Sequence, residues 1–174
     1  LNKVTGSSTS NLFFAGNEGY ILHWDGEKMR KQESGTNKDI NDLWMDDQGF
    51  MFAVGSEGLI LFWDTVRWTV MESGTEENIN AVWGDNSGSV YAAGENGVLL
   101  RWHGEQWIHT NKDPGLEFID IYGLSDNFVL AFSDTFIYEW NGSEWEQSEL
   151  SLSNEYTNYY ITSIDGCSGR DKFY

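Results

Sequence analysis

Tryptophan recurs at an almost constant interval through this chain, and that period constrains the fold more than any other feature. Trp24, Trp63, Trp102 and Trp140 are separated by 39, 39 and 38 residues. Two further columns keep the same spacing: Met29, Trp68, Trp107 and Trp145, and then Trp44, Trp83 and Tyr122. A fixed period of this length indicates one supersecondary unit that stacks in series on its own copies.

Each unit is predicted to contain four short strands. The segments Ile79–Trp83, Val90–Ala93, Val98–Trp102 and Gln106–Thr110 are joined by turns rich in Gly, Asn and Asp, which supply the positive φ angles of tight hairpins. The third strand of the preceding unit, Leu59–Trp63, is apolar at every position, as expected for a strand buried on both faces. Four-stranded antiparallel units packed face to face predict an all-β fold, a β-propeller.

The repeat also sets the expected organisation. We place the units at about residues 1–39, 40–78, 79–117 and 118–160, with residues 161–174 as the opening strand of a fifth unit. Because both ends match the same part of the unit, they would compete for one place in a four-bladed ring. We therefore expect one propeller domain or a propeller fragment, completed by further blades or by self-association.

The repeated tryptophans have a structural explanation. Side chains that recur at one position of every blade belong to the packing between blades, so Trp24, Trp63, Trp102 and Trp140 are assigned to the core.

Composition excludes several classes of function. The net charge of −18 would repel a phosphate backbone, so nucleic acid is not an expected partner. No apolar run reaches the roughly 18 residues of a membrane span. Cys167 is the only cysteine, which excludes an internal disulfide. We expect an extracytoplasmic or secreted location, where free thiols are avoided.

No catalytic, cofactor or metal site is predicted. The three histidines, His23, His103 and His109, lack the spacing of metal ligands. Asp46, Asp47 and Asp85 do not form a calcium loop and are interpreted as turn residues. A binding site is expected where the sequence departs from the repeat. Residues 149–160 are predicted to form an enlarged connection that contains Tyr156, Tyr159 and Tyr160, a composition suited to a partner-binding loop.

The repeat also resembles a known family. The run from Val90 to Trp107, the Ser-Gly-Thr segments at 34–36 and 73–75, and Ile79–Gly84 are similar to bacterial propeller repeats of the photosystem II assembly-factor-like and BNR (Asp-box-like) type. Asp25-Gly26 and Asn141-Gly142 stand at the Asp-box turn, although the spacing to the next Trp is one residue short. The resemblance is specific for the fold, since propellers carry many different functions. Because no catalytic constellation is predicted, we expect a non-catalytic module that binds or scaffolds a protein or carbohydrate partner. The alternative is part of a sialidase-like glycan hydrolase whose catalytic residues lie outside this chain.

Overall fold

The computed structural model describes residues 1–110 and 115–148. These residues contain sixteen strands, which form four sheets that we call blades 1 to 4. Blades 1 and 2 are built from β1 (Lys3–Ser8), β2 (Asn11–Ala15), β3 (Ile21–Trp24) and β4 (Met29–Gln32), and from β5 (Ile40–Met45), β6 (Met51–Gly55), β7 (Ile60–Trp63) and β8 (Trp68–Met71). Blades 3 and 4 are built from β9 (Ile79–Gly84), β10 (Val90–Gly94), β11 (Leu99–Trp102) and β12 (Trp107–His109), and from β13 (Phe118–Ser125), β14 (Phe128–Ser133), β15 (Ile137–Trp140) and β16 (Trp145–Gln147).

The blades are antiparallel meanders whose strands pair in chain order. Blade 3 matches the strands predicted for that unit to within two residues at every boundary. The all-β fold of four-stranded blades is therefore confirmed. The predicted fifth unit at 161–174 lies outside the described residues, and the unit boundaries stay a prediction.

First strands form the inner contacts between blades. Strand β5 packs against β1 on one side and β9 on the other, and β9 packs against β13. Blades 2 and 3 each lie between two other blades, and their second strands, Met51–Gly55 and Val90–Gly94, are buried along the whole length. Burial on both faces follows from the position of these strands between two neighbouring blades.

The core is divided into layers between the blades. The layer between blades 1 and 2 contains Phe13, Ile21, Leu43 and Met51, with Trp68 at its outer side. Equivalent layers fill the next two interfaces. Buried apolar side chains fill each of these interfaces, and close packing of this kind fixes one blade against the next.

Candidate functional site

The predicted site residues fall in different parts of the structure. Tyr156, Tyr159 and Tyr160 lie outside the described residues, so the partner-binding loop remains a prediction. Of the core tryptophans, Trp140 is 4% exposed, whereas Trp24, Trp63 and Trp102 are partly buried. Trp68 and Trp107 of the outer strands are more deeply buried than those three, at 7% each.

The turn acids hold the backbone of their own turns. The Asp46 carboxylate accepts hydrogen bonds from the backbone N–H groups of Gln48 and Phe50, and Asp85 does the same for Ser87 and Ser89. Within residues 1–110 and 115–148, no three His, Cys, Asp or Glu side chains are placed to hold a metal ion.

At the third-to-fourth-strand turns, Asp25 and Asp64 have the same role. Each carboxylate accepts two backbone N–H bonds, and these bonds hold the pKa of both groups below its usual value. Asn141 accepts the equivalent pair in blade 4. The residues that resemble an Asp-box are therefore turn-forming residues.

One end of the blades carries turns and linkers rich in polar residues, which we call the loop face. It consists of the second-to-third-strand turns at residues 17–20, 56–59 and 95–98 and the linkers between blades at 33–39 and 72–78. Each of these turns is closed by a backbone hydrogen bond from its fourth residue to its first, at 3.0 to 3.1 Å. The central residues Glu18, Glu57 and Asn96 have φ between 50° and 56°, and a glycine follows each of them. Two consecutive positive φ angles define the tight turn that joins twisted strands.

Hydrogen bonds fix these turns to the linkers. The backbone N–H of Glu18 donates to Asp39 Oδ1 at 2.8 Å, and that of Glu57 donates to Asn78 Oδ1 at 3.0 Å. Asn96 Nδ2 donates to Glu77 Oε2 at 2.8 Å. Within the linkers, Ser34 and Ser73 are buried and bond to the backbone of the threonine two residues later. The turns of blades 1 and 2 are thus attached to their linkers by the same contact.

Acidic side chains dominate this rigid surface. Glu18, Glu57 and Glu76 are exposed, and Glu33 lies at the rim of an open polar groove of about 450 Å³ between the blade 1 turn and its linker. Lys38 spans two blades, since its Nζ lies 2.8 Å from the Glu57 carbonyl oxygen and 3.6 Å from the Glu57 carboxylate. The surface therefore favours a ligand that brings positive charge.

Two further polar clusters connect blades, and neither was predicted from the sequence. On the inner strands, Lys3 Nζ lies 2.8 Å from Asp42 Oδ1, and the other carboxylate oxygen accepts the Val82 N–H of blade 3. Burial raises the pKa of Asp42, although Lys3 opposes that effect. Asp42 thus joins residues of three blades.

The second cluster lies between blades 3 and 4. Arg101 contacts both Asp126 oxygens at 2.9 and 3.1 Å, and the Tyr91 hydroxyl donates to Asp126 Oδ1 at 2.7 Å. The Arg101 guanidinium also lies over the rings of Tyr91 and Trp140. Burial, aided by Asp126, raises the pKa of Tyr91 above its usual value. Burial favours a higher pKa for Asp126, but hydrogen bonds from Ser89, Tyr91 and Arg101 outweigh it and lower that pKa.

Described arginines do not converge on one point. Arg30 pairs with Asp25, Arg67 with Asp64 and Arg101 with Asp126. A carboxylate-binding arginine cluster of the sialidase type would require several such side chains around one cavity, and these three are each matched to an aspartate.

Comparison with known proteins shows the fold of the chain but neither its family nor its function. No protein-family model matches the chain, and no curated protein matches it significantly. Solved structures with the same fold include YCF48 bound to D1 peptide, with 15% identity and a TM-score of 0.62 over 83% of this chain and 51% of that one. YCF48 from Cyanidioschyzon merolae has 17% identity and a TM-score of 0.62 over 86% of this chain and 56% of that one.

Other propellers align as well. The WD40 repeats of RRP9 have 11% identity and a TM-score of 0.71 over 96% of this chain and 57% of that one. The extracellular domain of BT4673, a putative hybrid two-component system of B. thetaiotaomicron, has 14% identity and a TM-score of 0.68 over 92% of this chain and 24% of that one. The chain thus spans about half the length of the YCF48 chains. By its fold the chain is a β-propeller, and the solved structures that it resembles include YCF48.

Proposed function

We propose that this chain is a non-catalytic propeller module that binds a basic segment of a partner protein on its loop face. The observation that carries the proposal is the repeated, rigid presentation of acidic side chains by the turns of blades 1 and 2 and the linkers between blades. A pre-ordered surface loses little conformational entropy when it binds. Carboxylates at fixed positions also select the charge of the ligand and speed its approach.

The comparisons support the general class. One neighbour, YCF48, was solved with a peptide bound, so a propeller of this architecture can take a peptide ligand. Within residues 1–110 and 115–148, no helix has the length and apolar character needed to cross a bilayer. The extracytoplasmic location expected from the sequence stays a prediction, and the extracellular domain of BT4673 among the neighbours is compatible with it.

A peptide-binding experiment tests the proposal. Fluorescence anisotropy would compare labelled peptides rich in Lys and Arg with the same peptides carrying Gln at every cationic position. We expect binding of the cationic peptides alone, weakening as salt rises because exposed charges are screened over a Debye length of about 10 Å at 0.1 M.

A charge-neutralised loop face provides the site-specific test. The triple variant Glu18→Gln, Glu57→Gln and Glu76→Gln should weaken binding by about tenfold, which corresponds to about 1.4 kcal/mol. The matched control is Glu27→Gln, Asp47→Asn and Glu105→Gln, three exposed acids at the opposite ends of the strands. Equal losses in the two triple variants would show that net charge alone attracts the peptide and would refute the loop face as the site.

A further inference from the structure

The dipeptide Asn-Gly occurs twice in the sequence, at Asn96-Gly97 in blade 3 and at Asn141-Gly142 in blade 4. Asparagine is a thermally labile residue, because the backbone nitrogen that follows it can attack the side-chain amide carbon. A following glycine has no side chain to hinder that attack. The two pairs therefore have the same intrinsic chemistry, and only their surroundings in the fold distinguish them.

The fold holds both nitrogen atoms that would react in the blade 3 pair. Asn96 Nδ2 donates to Glu77 Oε2 at 2.8 Å, and the Gly97 N–H donates to the Leu116 carbonyl oxygen at 2.6 Å. Gly97 is also buried. The attacking and the leaving nitrogen are thus both engaged, so reaction at Asn96 would require this part of the loop face to open first.

The pair in blade 4 lies on the turn between β15 and β16. Asn141 and Ser143 are exposed there. Among the residues that the structure describes, neither Asn141 Nδ2 nor the Gly142 N–H has a hydrogen-bond acceptor. Solvent can therefore take the proton from the attacking nitrogen and carry away the ammonia that leaves.

The same turn activates the side-chain carbonyl group of Asn141. Its Oδ1 accepts hydrogen bonds from the Ser143 N–H at 3.0 Å, the Ser143 hydroxyl at 2.8 Å and the Glu144 N–H at 3.1 Å. Attack on the amide carbon would place negative charge on this oxygen, and donors already directed at it stabilise that charge. The hydrogen bonds that build the turn thus also favour the reaction.

We propose that Asn141 is a site of spontaneous deamidation and that the fold protects Asn96 from the same reaction. The Gly142 nitrogen loses its proton and forms a bond to Asn141 Cγ, and Nδ2 leaves as ammonia to give a cyclic imide. Water then opens the ring at either of its two carbonyl groups. Net replacement of the amide by an acid leaves aspartate or isoaspartate at position 141.

The two products differ in their effect on the turn. Aspartate at position 141 keeps an oxygen for the N–H groups of Ser143 and Glu144, as Asp25 and Asp64 do for the equivalent turns of blades 1 and 2. Isoaspartate adds a carbon atom to the main chain and disrupts the hydrogen bond from the Asn141 N–H to the Glu144 carbonyl oxygen, now at 3.2 Å. One product therefore fits the repeat, and the other weakens the β15–β16 hairpin.

Peptide mapping by mass spectrometry tests the proposal on the whole chain. The folded chain and the chain unfolded in urea would be incubated at mildly alkaline pH, and conversion of amide to acid would be followed at both asparagines. In urea we expect similar rates at Asn96 and Asn141. Folding should slow the reaction at Asn141 by less than about tenfold and that at Asn96 by more than about a hundredfold.

A variant that cannot form the imide assigns the product. Asn141→Ser keeps a side-chain oxygen for the turn but has no amide, so it should remove most of the isoaspartate that a protein isoaspartyl methyltransferase labels in the folded chain. Rates at Asn96 and Asn141 that fall equally on folding would overturn the proposal. Isoaspartate labelling of Asn141→Ser as strong as that of the parent chain would also overturn it.

Discussion

The Trp44 ring of blade 2 lies directly against the α-carbon of Gly84 in blade 3. A β-carbon built on Gly84 would come within 2.7 Å of Trp44 Cη2, and one built on Gly123 would come within 2.6 Å of the Trp83 ring. A large residue on one blade is thus matched by the absence of a side chain on the next. Between blades 1 and 2 the sizes are reversed. Thr5 of blade 1 stands at the position of Trp44, and Met45 of blade 2 stands at the position of Gly84.

This contact predicts the effect of filling the space. Gly84→Ala should lower the free energy of unfolding by about 1–3 kcal/mol, because the added methyl group overpacks the interface. The backbone of Gly84 does not have a positive φ, so the loss would come from the clash with Trp44. Urea denaturation of Gly84→Ala, Trp44→Ala and the double variant measures it. The clash predicts that Gly84→Ala costs clearly less in the Trp44→Ala background, and additive losses would contradict it.

A hydrogen bond repeated between blades gives a second prediction. Asn41 Nδ2 donates to the Ile79 carbonyl oxygen at 2.9 Å, so Asn41→Ala should cost about 1 kcal/mol. The exposed Asn37 in the linker of blade 1 is the control, and Asn37→Ala should change stability by less than about 0.5 kcal/mol. Equal free energies of unfolding for the two variants would show that the bond between blades does not contribute.

Equivalent leucines in neighbouring blades should differ in their contribution to the free energy of unfolding. Leu61 is fully buried between blades 1 and 2, and Leu61→Ala should cost about 2–5 kcal/mol because it leaves a cavity. Leu22 occupies the same position in blade 1 and is only partly buried, so Leu22→Ala should cost about 1 kcal/mol or less. Chemical denaturation of both variants is the measurement, and a loss at Leu22 as large as that at Leu61 would show that blade 1 is covered.

The Arg101–Asp126 contact predicts a dependence of stability on pH. The pKa of Asp126 is lower in the folded chain than its usual value, which is about 3.9 in the unfolded chain. The stabilisation is therefore complete above the unfolded pKa and is lost as pH falls through the folded pKa. The difference in free energy of unfolding between the chain and Asp126→Asn should be largest near neutral pH and should shrink below about pH 4. A difference independent of pH would mean that ionised Asp126 has no net role.

Periodicity alone determined the architecture. The 39-residue spacing of Trp63 and Trp102 and the glycine turns around them specify a four-stranded unit and its stacking, because each unit can bury its apolar residues only against a copy of itself. Asn2, Asn41 and Asn80 also share that spacing, but the sequence does not say where their side chains point.

Tertiary structure decided the direction of those side chains. Asn41 and Asn80 stand at bulges, where the pairing passes from Ile40 to Asp42 and from Ile79 to Ala81, and a bulge re-aims a side chain out of the regular alternation. The pairing of Arg101 with Asp126, 25 residues away, likewise depends on how two blades meet. The exposure of Val4 and Met29 in blade 1 could not be predicted either, because these residues are as apolar as many buried residues of the other blades. Only the packing of neighbouring blades distinguishes a covered sheet face from an exposed one.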